Sequence, residues 1–277
     1  MIHDWDDAYA NGAHIAGADG YPPRWATRAA DFRRSMADAG RAEIDLRYGE
    51  AMRERFDLFH PEEPAKGLAV FVHGGYWMAF DKSSWSHLAA GAVARGWAVA
   101  VPSYTLCPEA RIADITRQIG RAVEAAAGRV AGPIHLAGHS AGGHLVTRMA
   151  CTDGPLPDPL RARLARIASI SGLHDLRPLL RTRMNETLRL DPTEAAAESA
   201  ALQAPLPGLQ LVCWVGAGER PEFRRQNALL ANIWTGLGAR AQAIEAPGRN
   251  HFDVIDDLSA ADTPLAEAWV GGGAASA

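Results

Sequence analysis

Apolar runs of a few residues, each bounded by turn-forming Gly, Pro, Asn or Asp, recur along the chain at Glu43–Tyr48, Arg55–Phe59, Leu68–His73, Ala98–Val101, Ile134–Ala137, Ile167–Ile170, Leu209–Val215 and Ala241–Ala246. Their length and aliphatic content predict strands. Between them His87–Arg95, Asp114–Ala127, Ala141–Ala150, Arg161–Leu164, Glu222–Gly236 and a last segment near Phe252–Leu258 read as helices. The first strands follow one another directly, whereas the later ones alternate with helices. That rhythm predicts an α/β protein whose mostly parallel sheet of about eight strands carries helices on both faces.

Two stretches lie outside the alternation. Residues 1–40 are rich in Trp, Tyr, Gly and Arg and predict an irregular N-terminal arm with one amphipathic helix near Trp25–Ala37. Residues 175–206 interrupt two strands and predict a small cap insertion, the kind of segment that covers an active site. The Gly/Ala-rich end, residues 270–277, reads as a flexible tail. The 277 residues are expected to form a single domain, since α/β proteins reach about 250 residues around one sheet.

Composition narrows the function more than the fold. With 48% apolar and 22% charged residues the chain is an ordinary globular one, not a disordered chain, a collagen or a coiled coil. A net charge of -4 argues against a nucleic-acid groove or a polybasic membrane patch, so a small-molecule partner is expected. Cys107, Cys151 and Cys213 are odd in number and widely spaced, which suggests neither a disulfide frame nor a thiolate metal site. The acidic start and the shortness of every apolar run imply neither secretion nor membrane anchoring. A cytoplasmic protein is the expectation, and a homodimer is left open.

Chemistry concentrates at a few turns. The strand Ile134–Ala137 runs into Gly138-His139-Ser140-Ala141-Gly142 and then a helix, the strand–turn–helix setting in which G-x-S-x-G places a serine on a sharp elbow. Ser140 is the expected nucleophile, though the same pattern also occurs as a structural serine in a Gly-rich turn. Upstream, Leu68–His73 leads into Gly74-Gly75-Tyr76-Trp77, whose glycines allow amide N–H groups to be aimed into a cleft. The amides of Gly75 and Tyr76, paired with that of Ala141, are the expected oxyanion hole, with Gly74 permitting the bend. His73 is expected to hold the turn. Tyr76, Trp77 and Trp85 are the candidate substrate walls beside Gly74.

A serine hydroxyl needs an adjacent base, itself oriented by a carboxylate. After an elbow serine these follow in the order acid, then histidine. His251 lies after the last strand and is the expected base, His174 being the rival beyond Ser140. Glu219 is the first carboxylate off the strand Leu209–Val215 and is the expected acid; Asp175 is the alternative, and Glu222 reads as a helix-start residue. His135 and His139 have H-x-x-x-H spacing, but on a strand that places them ~13 Å apart, too far to share one ion. No phosphate-cradling loop is present either, so neither a metal nor a cofactor is expected.

Taken together, HGGYW at 73–77, Asp81-Lys82, Tyr104-x-Leu-x-Pro-Glu, GHSAGGHL at 138–145, SGLHDLRPL at 171–179, VGAGERPEFRRQ at 215–226 and NHF at 250–252 resemble the kynurenine formamidase (arylformamidase) branch of the α/β-hydrolases, close to the hormone-sensitive-lipase-like esterases. The arm resembles it too, through Trp5-x-x-Ala-Tyr-x-Asn. The resemblance implies an α/β-hydrolase fold, the triad Ser140, Glu219 and His251, an oxyanion hole after His73, and cleavage of N-formylkynurenine or a similar arylformamide to formate and an aromatic amine. It departs at Glu219, where the branch more often carries Asp. A carboxylesterase acting on short-chain or aryl esters is the alternative, and a non-catalytic ligand-binding protein on the same fold is the alternative of another class.

Overall fold

In the computed structural model, which describes residues 2–271, one sheet is built from β1 (Ala42–Arg47), β2 (Arg55–Phe59), β3 (Leu68–Val72), β4 (Ala98–Pro102), β5 (Ile134–His139), β6 (Leu164–Ile170), β7 (Gln210–Gly216) and β8 (Arg240–Ala246). Their order across the sheet is β1-β2-β4-β3-β5-β6-β7-β8. β2 pairs antiparallel with both β1 and β4, and every later pairing is parallel. The helices are α1 (Trp5–Ala8), α2 (Tyr21–Asp38), α3 (Ala90–Ala94), α4 (Ile112–Ala127), α5 (Ala141–Met149), α6 (Asp158–Arg161), α7 (Asn185–Leu188), α8 (Pro192–Ala197), α9 (Pro221–Gly236) and α10 (Pro264–Val270). Among the described residues no helix is long and apolar enough to cross a membrane.

The strand sequences dictate two cores. On β3, Leu68, Val70 and Val72 face one side, while Ala69 and Phe71 face the other. β4 repeats the pattern with Ala98 and Ala100 against Val99 and Val101. Alternate residues of a pleated strand point to opposite faces, so a continuous apolar run is what two covered faces require. One core takes in α4, α5 and α9 through Ile115, Leu145, Phe223 and Leu230. The other takes in α2, α3 and α10 through Trp25, Met36, Ala92, Leu265 and Trp269. In α2 the buried Trp25, Ala29 and Met36 and the partly buried Phe32 stand at helical spacing, behind two prolines that open the first turn.

Local signals went astray in three places. The helix expected over Arg161–Leu164 ends where it was expected to begin: α6 starts at the Asp158-Pro159 turn, and Leu164 already opens β6. Phe252–Leu258 is a run of turns closed by a 3₁₀ turn at Asp256–Ser259, because the Asn250 and Asp253 side chains capture the backbone amides of the segment. The closing helix is α10, capped by Thr263 Oγ1 accepting from Ala266 N at 3.2 Å. Of the expected tail, residues 272–277 lie outside the described residues.

Ahead of α2 the arm holds only the short α1 and two 3₁₀ turns, as irregular as expected, yet it is tied down. Tyr9 is buried, and its hydroxyl donates to Glu222 Oε1 at 2.8 Å. Asp6 accepts from Arg183 N at 2.7 Å and from its Nε at 2.9 Å, and Asp7 bridges His14 and Arg220. Burial and the nearby Glu222 carboxylate push the Tyr9 phenol well above its usual range, so it remains a donor. Tyr9→Phe removes that donor from a buried carboxylate. We expect it to lower stability by about 1–3 kcal/mol in urea denaturation and to make the first twenty or so residues the first site of limited proteolysis.

Candidate active site

Ser140 stands between β5 and α5 with φ 55° and ψ -116°, a backbone conformation that side-chain-bearing residues rarely adopt. The neighbouring glycines are there for space. A Cβ on Gly138 would lie 2.1 Å from Gly142 O, and one on Gly142 would lie 2.0 Å from Val72 O. Ser140 N donates to Ile170 O at 2.8 Å and Ser140 O accepts from His144 N at 3.1 Å, which ties the elbow to the end of β6 and the first turn of α5.

Glu219 and His251 meet beside it. His251 Nδ1 lies 2.6 Å from Glu219 Oε2, and both side chains are buried. The other carboxylate oxygen of Glu219 accepts from Gly216 N at 2.8 Å and from Ser171 Oγ at 2.6 Å, so the group is held from both ends. With Nδ1 donating to the carboxylate, Nε2 is left as the basic nitrogen. The rival groups are engaged elsewhere. Asp175 pairs with Arg177 Nε and Nη2 at 2.9 Å, Glu222 holds Tyr9, and His174 is wedged between Thr147 and Ser169 with burial pushing its pKa down to about 3.

The turn after β3 carries positive φ at Gly75 (102°), Tyr76 (50°) and Trp77 (58°). A Cβ at Gly75 would lie 2.6 Å from Ala79 O, and one at Gly74 would lie 2.8 Å from His139 O, so each glycine is required by close backbone approach. Among the described residues the amides of Gly75, Tyr76 and Ala141 make no hydrogen bond, whereas Gly75 O accepts from Met78 and Ala79. His73 stacks on Tyr104 with ring centroids 4.4 Å apart, and its Nδ1 donates to Gly74 O at 2.7 Å. Burial pushes its pKa down to about 4, which leaves a neutral ring holding the turn.

Ser140 and His251 open into a cavity of about 460 Å³ walled by Trp25, Tyr76, Phe80, Trp85 and Phe252. Two expected wall residues are not in that lining. Trp77 is fully buried on the opposite side of the turn, because the successive positive φ values rotate it into the core, edge-on to His144 at 5.2 Å. Gly74 lies behind the surface, packed on the elbow backbone. The cover also differs from expectation. Of residues 175–206 only Met184 reaches the lining, and the arm supplies Asp6, Tyr9, Ala10, Asn11, Gly12 and Trp25. An arm that pairs with Arg183 and Glu222 cannot be recognised as a lid by local periodicity, although its density of aromatic residues is a signal that something there is buried.

Ser171 was also missed. Its hydroxyl fixes Glu219 from the end of β6, and no local motif around a Ser-Gly pair separates that role from a plain turn. His135 and His139 point away from any shared centre: His135 Nδ1 meets Trp269 O at 2.9 Å and His139 Nε2 meets His251 O at 2.9 Å. Among the described residues no group of three or more His, Cys, Asp or Glu side chains could hold a metal ion.

A profile described as the alpha/beta hydrolase family matches residues 69–273. A kynurenine formamidase from Danio rerio is 28% identical over 225 residues, 78% of this chain and 76% of that protein. One from Drosophila melanogaster is 28% identical over 239 residues, 79% of this chain and 78% of its own. Among solved structures, a Silicibacter sp. tm1040 protein provisionally described as a thioesterase superposes with a TM-score of 0.91 at 53% identity, covering 96% of this chain and 98% of that one.

The two tryptophans of the turn region are expected to separate on mutation. Trp77→Ala opens a hole in the core and is expected to cost about 3–5 kcal/mol of stability by chemical denaturation. Trp85→Ala removes a side chain that is as deeply buried but also lines the cavity, and it is expected to cost stability and in addition to raise KM for aromatic substrates, which Trp77→Ala is not expected to do.

Proposed function

The chain belongs to the alpha/beta hydrolase family, and from that premise we propose that it is a serine hydrolase cleaving an arylformamide of the N-formylkynurenine kind to formate and an aromatic amine. The observation that carries the reading is the convergence of Ser140, His251 and five aromatic walls on one cavity. Support for the formamide comes from the two relatives named as kynurenine formamidases. Three buried free cysteines suit a reducing cytoplasm.

In this account His251 Nε2 takes the Ser140 proton as Oγ attacks the formyl carbon. The amides of Gly75, Tyr76 and Ala141 donate to the oxyanion as it forms, which lowers the barrier because they are already oriented. Collapse requires a proton on the departing aniline nitrogen, and the imidazolium, stabilised by Glu219, delivers it. Water activated by the same ring then releases formate from the formyl-serine. Stacking of the aryl group on the cavity walls holds the scissile bond over Ser140, so ring contacts remote from the bond contribute to rate as well as to binding.

A thioester or ester substrate is the second reading, favoured by the similarity to the Silicibacter protein. The two differ in the leaving group, since a thiolate or nitrophenolate departs without a proton and an anilide does not. A higher kcat/KM on N-formylkynurenine than on 4-nitrophenyl acetate is therefore expected, and rapid ester turnover with no formamide turnover would select the ester reading.

Within either reading the triad makes firm demands. Ser140→Ala is expected to lower kcat by about 10⁴-fold or more with the thermal midpoint preserved. Glu219→Gln leaves the imidazole without its orienting charge, and a loss on the order of 10⁴ in kcat is expected by analogy with a protease triad. Asp175→Asn is expected to change kcat by far less; the reverse ranking would transfer the acid to the end of β6.

A further inference from the structure

The cavity wall holds one polar group whose position the reaction above does not use. Asn11, on the arm, is buried to 6% exposure, and its Oδ1 has no hydrogen-bond partner among the described residues. Its backbone is fixed, with N donating to Tyr9 O at 3.1 Å and O accepting from His14 N at 3.0 Å. The side chain has a defined polarity. Tyr76 Oη donates its single hydrogen to Tyr9 O at 2.6 Å, so towards Asn11 it offers only a lone pair, and Asn11 Nδ2 approaches it at 3.4 Å. Burial, with the Glu219 and Glu222 carboxylates nearby, keeps the Tyr76 phenol protonated well above its usual range. The amide oxygen of Asn11 is therefore the buried, unpartnered end of a residue that lines the cavity, and a partner for it must be a donor.

The charge of the wall points the same way. Asp6 lines the cavity, and among the described residues no Arg or Lys does. Asp6 Oδ1 and Oδ2 each accept one bond from Arg183, whose side chain is 84% exposed, and each carboxylate oxygen retains a second lone pair. Both groups stand away from the scissile bond: a full tyrosine side chain separates Asn11 from the Tyr76 amide of the oxyanion hole.

Resting on the arylformamide reading, we propose that Asn11 Oδ1 and Asp6 form an amine subsite, which binds a protonated amino group carried on a side chain of the aryl leaving group. An ammonium brings three donors and a positive charge, which suits one neutral acceptor and one carboxylate on an otherwise apolar wall. The subsite selects substrates through the amine and asks nothing of a substrate carboxylate. It also links recognition to the reacting centre, because the residue that reads the amine is bonded to the side chain of the residue whose amide faces the oxyanion.

The test compares kcat/KM for N-formylkynurenine with that for its des-amino analogue, which keeps the formanilide, the ketone and the carboxylate. The wild type is expected to favour the amine-bearing substrate by about tenfold or more. Asn11→Leu, similar in volume but without an acceptor, is expected to bring the ratio towards one, and Asp6→Asn to lower it part of the way. A wild type that treats both formamides alike overturns the subsite without any variant, as does a folded Asn11→Leu protein, or an Asn11→Ala protein should Leu not fold, that keeps the wild-type ratio. If the wild type hydrolyses 4-nitrophenyl acetate and neither formamide, the arylformamide reading falls and the subsite falls with it.

Discussion

Everything at this site depends on a single backbone constraint, the positive φ of Ser140 at the junction of β5 and α5. A residue with a side chain stays in that conformation only where the surroundings over-determine it, at a typical cost of about 1–3 kcal/mol. Here the surroundings are the two central strands that flank β5 and the helix that follows it. Gly138 and Gly142 let α5 settle within hydrogen-bonding distance of the sheet, and Val72 O would collide with any side chain at 142. The hydroxyl is thereby lifted off the carboxyl edge of the sheet, next to the first amide of α5, and the glycines of the 73–77 turn bring two further amides towards the same place.

The second organising element is the arm. Its apolar residues enter the same cores as the sheet, while its polar ones reach across to the segment 175–206 and to α9: Asp6 to Arg183, Asp7 to Arg220, Tyr9 to Glu222. Glu222 and Glu219 stand three residues apart, the first in the opening turn of α9 and the second in the bend before it, so the residue that anchors the arm and the residue that pairs with His251 belong to one short stretch. The cover of the cavity and the carboxylate that pairs with His251 are thus built on common ground, and displacement of the arm would disturb both the walls and the Glu219–His251 pair.

Much of this was legible in the sequence. Continuous apolar runs such as Leu68–Val72 could belong only to strands covered on both faces, and the strand–turn–helix setting of Ser140 pointed to the elbow. Chain order and spacing singled out Glu219 and His251, which the structure brings to 2.6 Å. What escaped was whatever depends on side-chain direction or on distant partners. Trp77 and Trp85 are equally aromatic in the sequence, yet Trp77, the last of three consecutive residues with positive φ, packs edge-on to His144 in one core, whereas Trp85, buried in the other core, also reaches the cavity. Ser171 matters through a contact 48 positions away, and Tyr9 through one 213 positions away, separations over which local periodicity carries no information.

The central claim is that Ser140 is the nucleophile for the hydrolysis carried out in this cavity. The most direct measurement is active-site titration with an aryl fluorophosphonate, followed by peptide mapping by mass spectrometry and by parallel assays on N-formylkynurenine and 4-nitrophenyl acetate. The account predicts one adduct per chain, on Ser140, with the measurable activities lost in step with labelling. Full labelling at Ser140 with activity retained, or inactivation by an adduct on another residue, would contradict it.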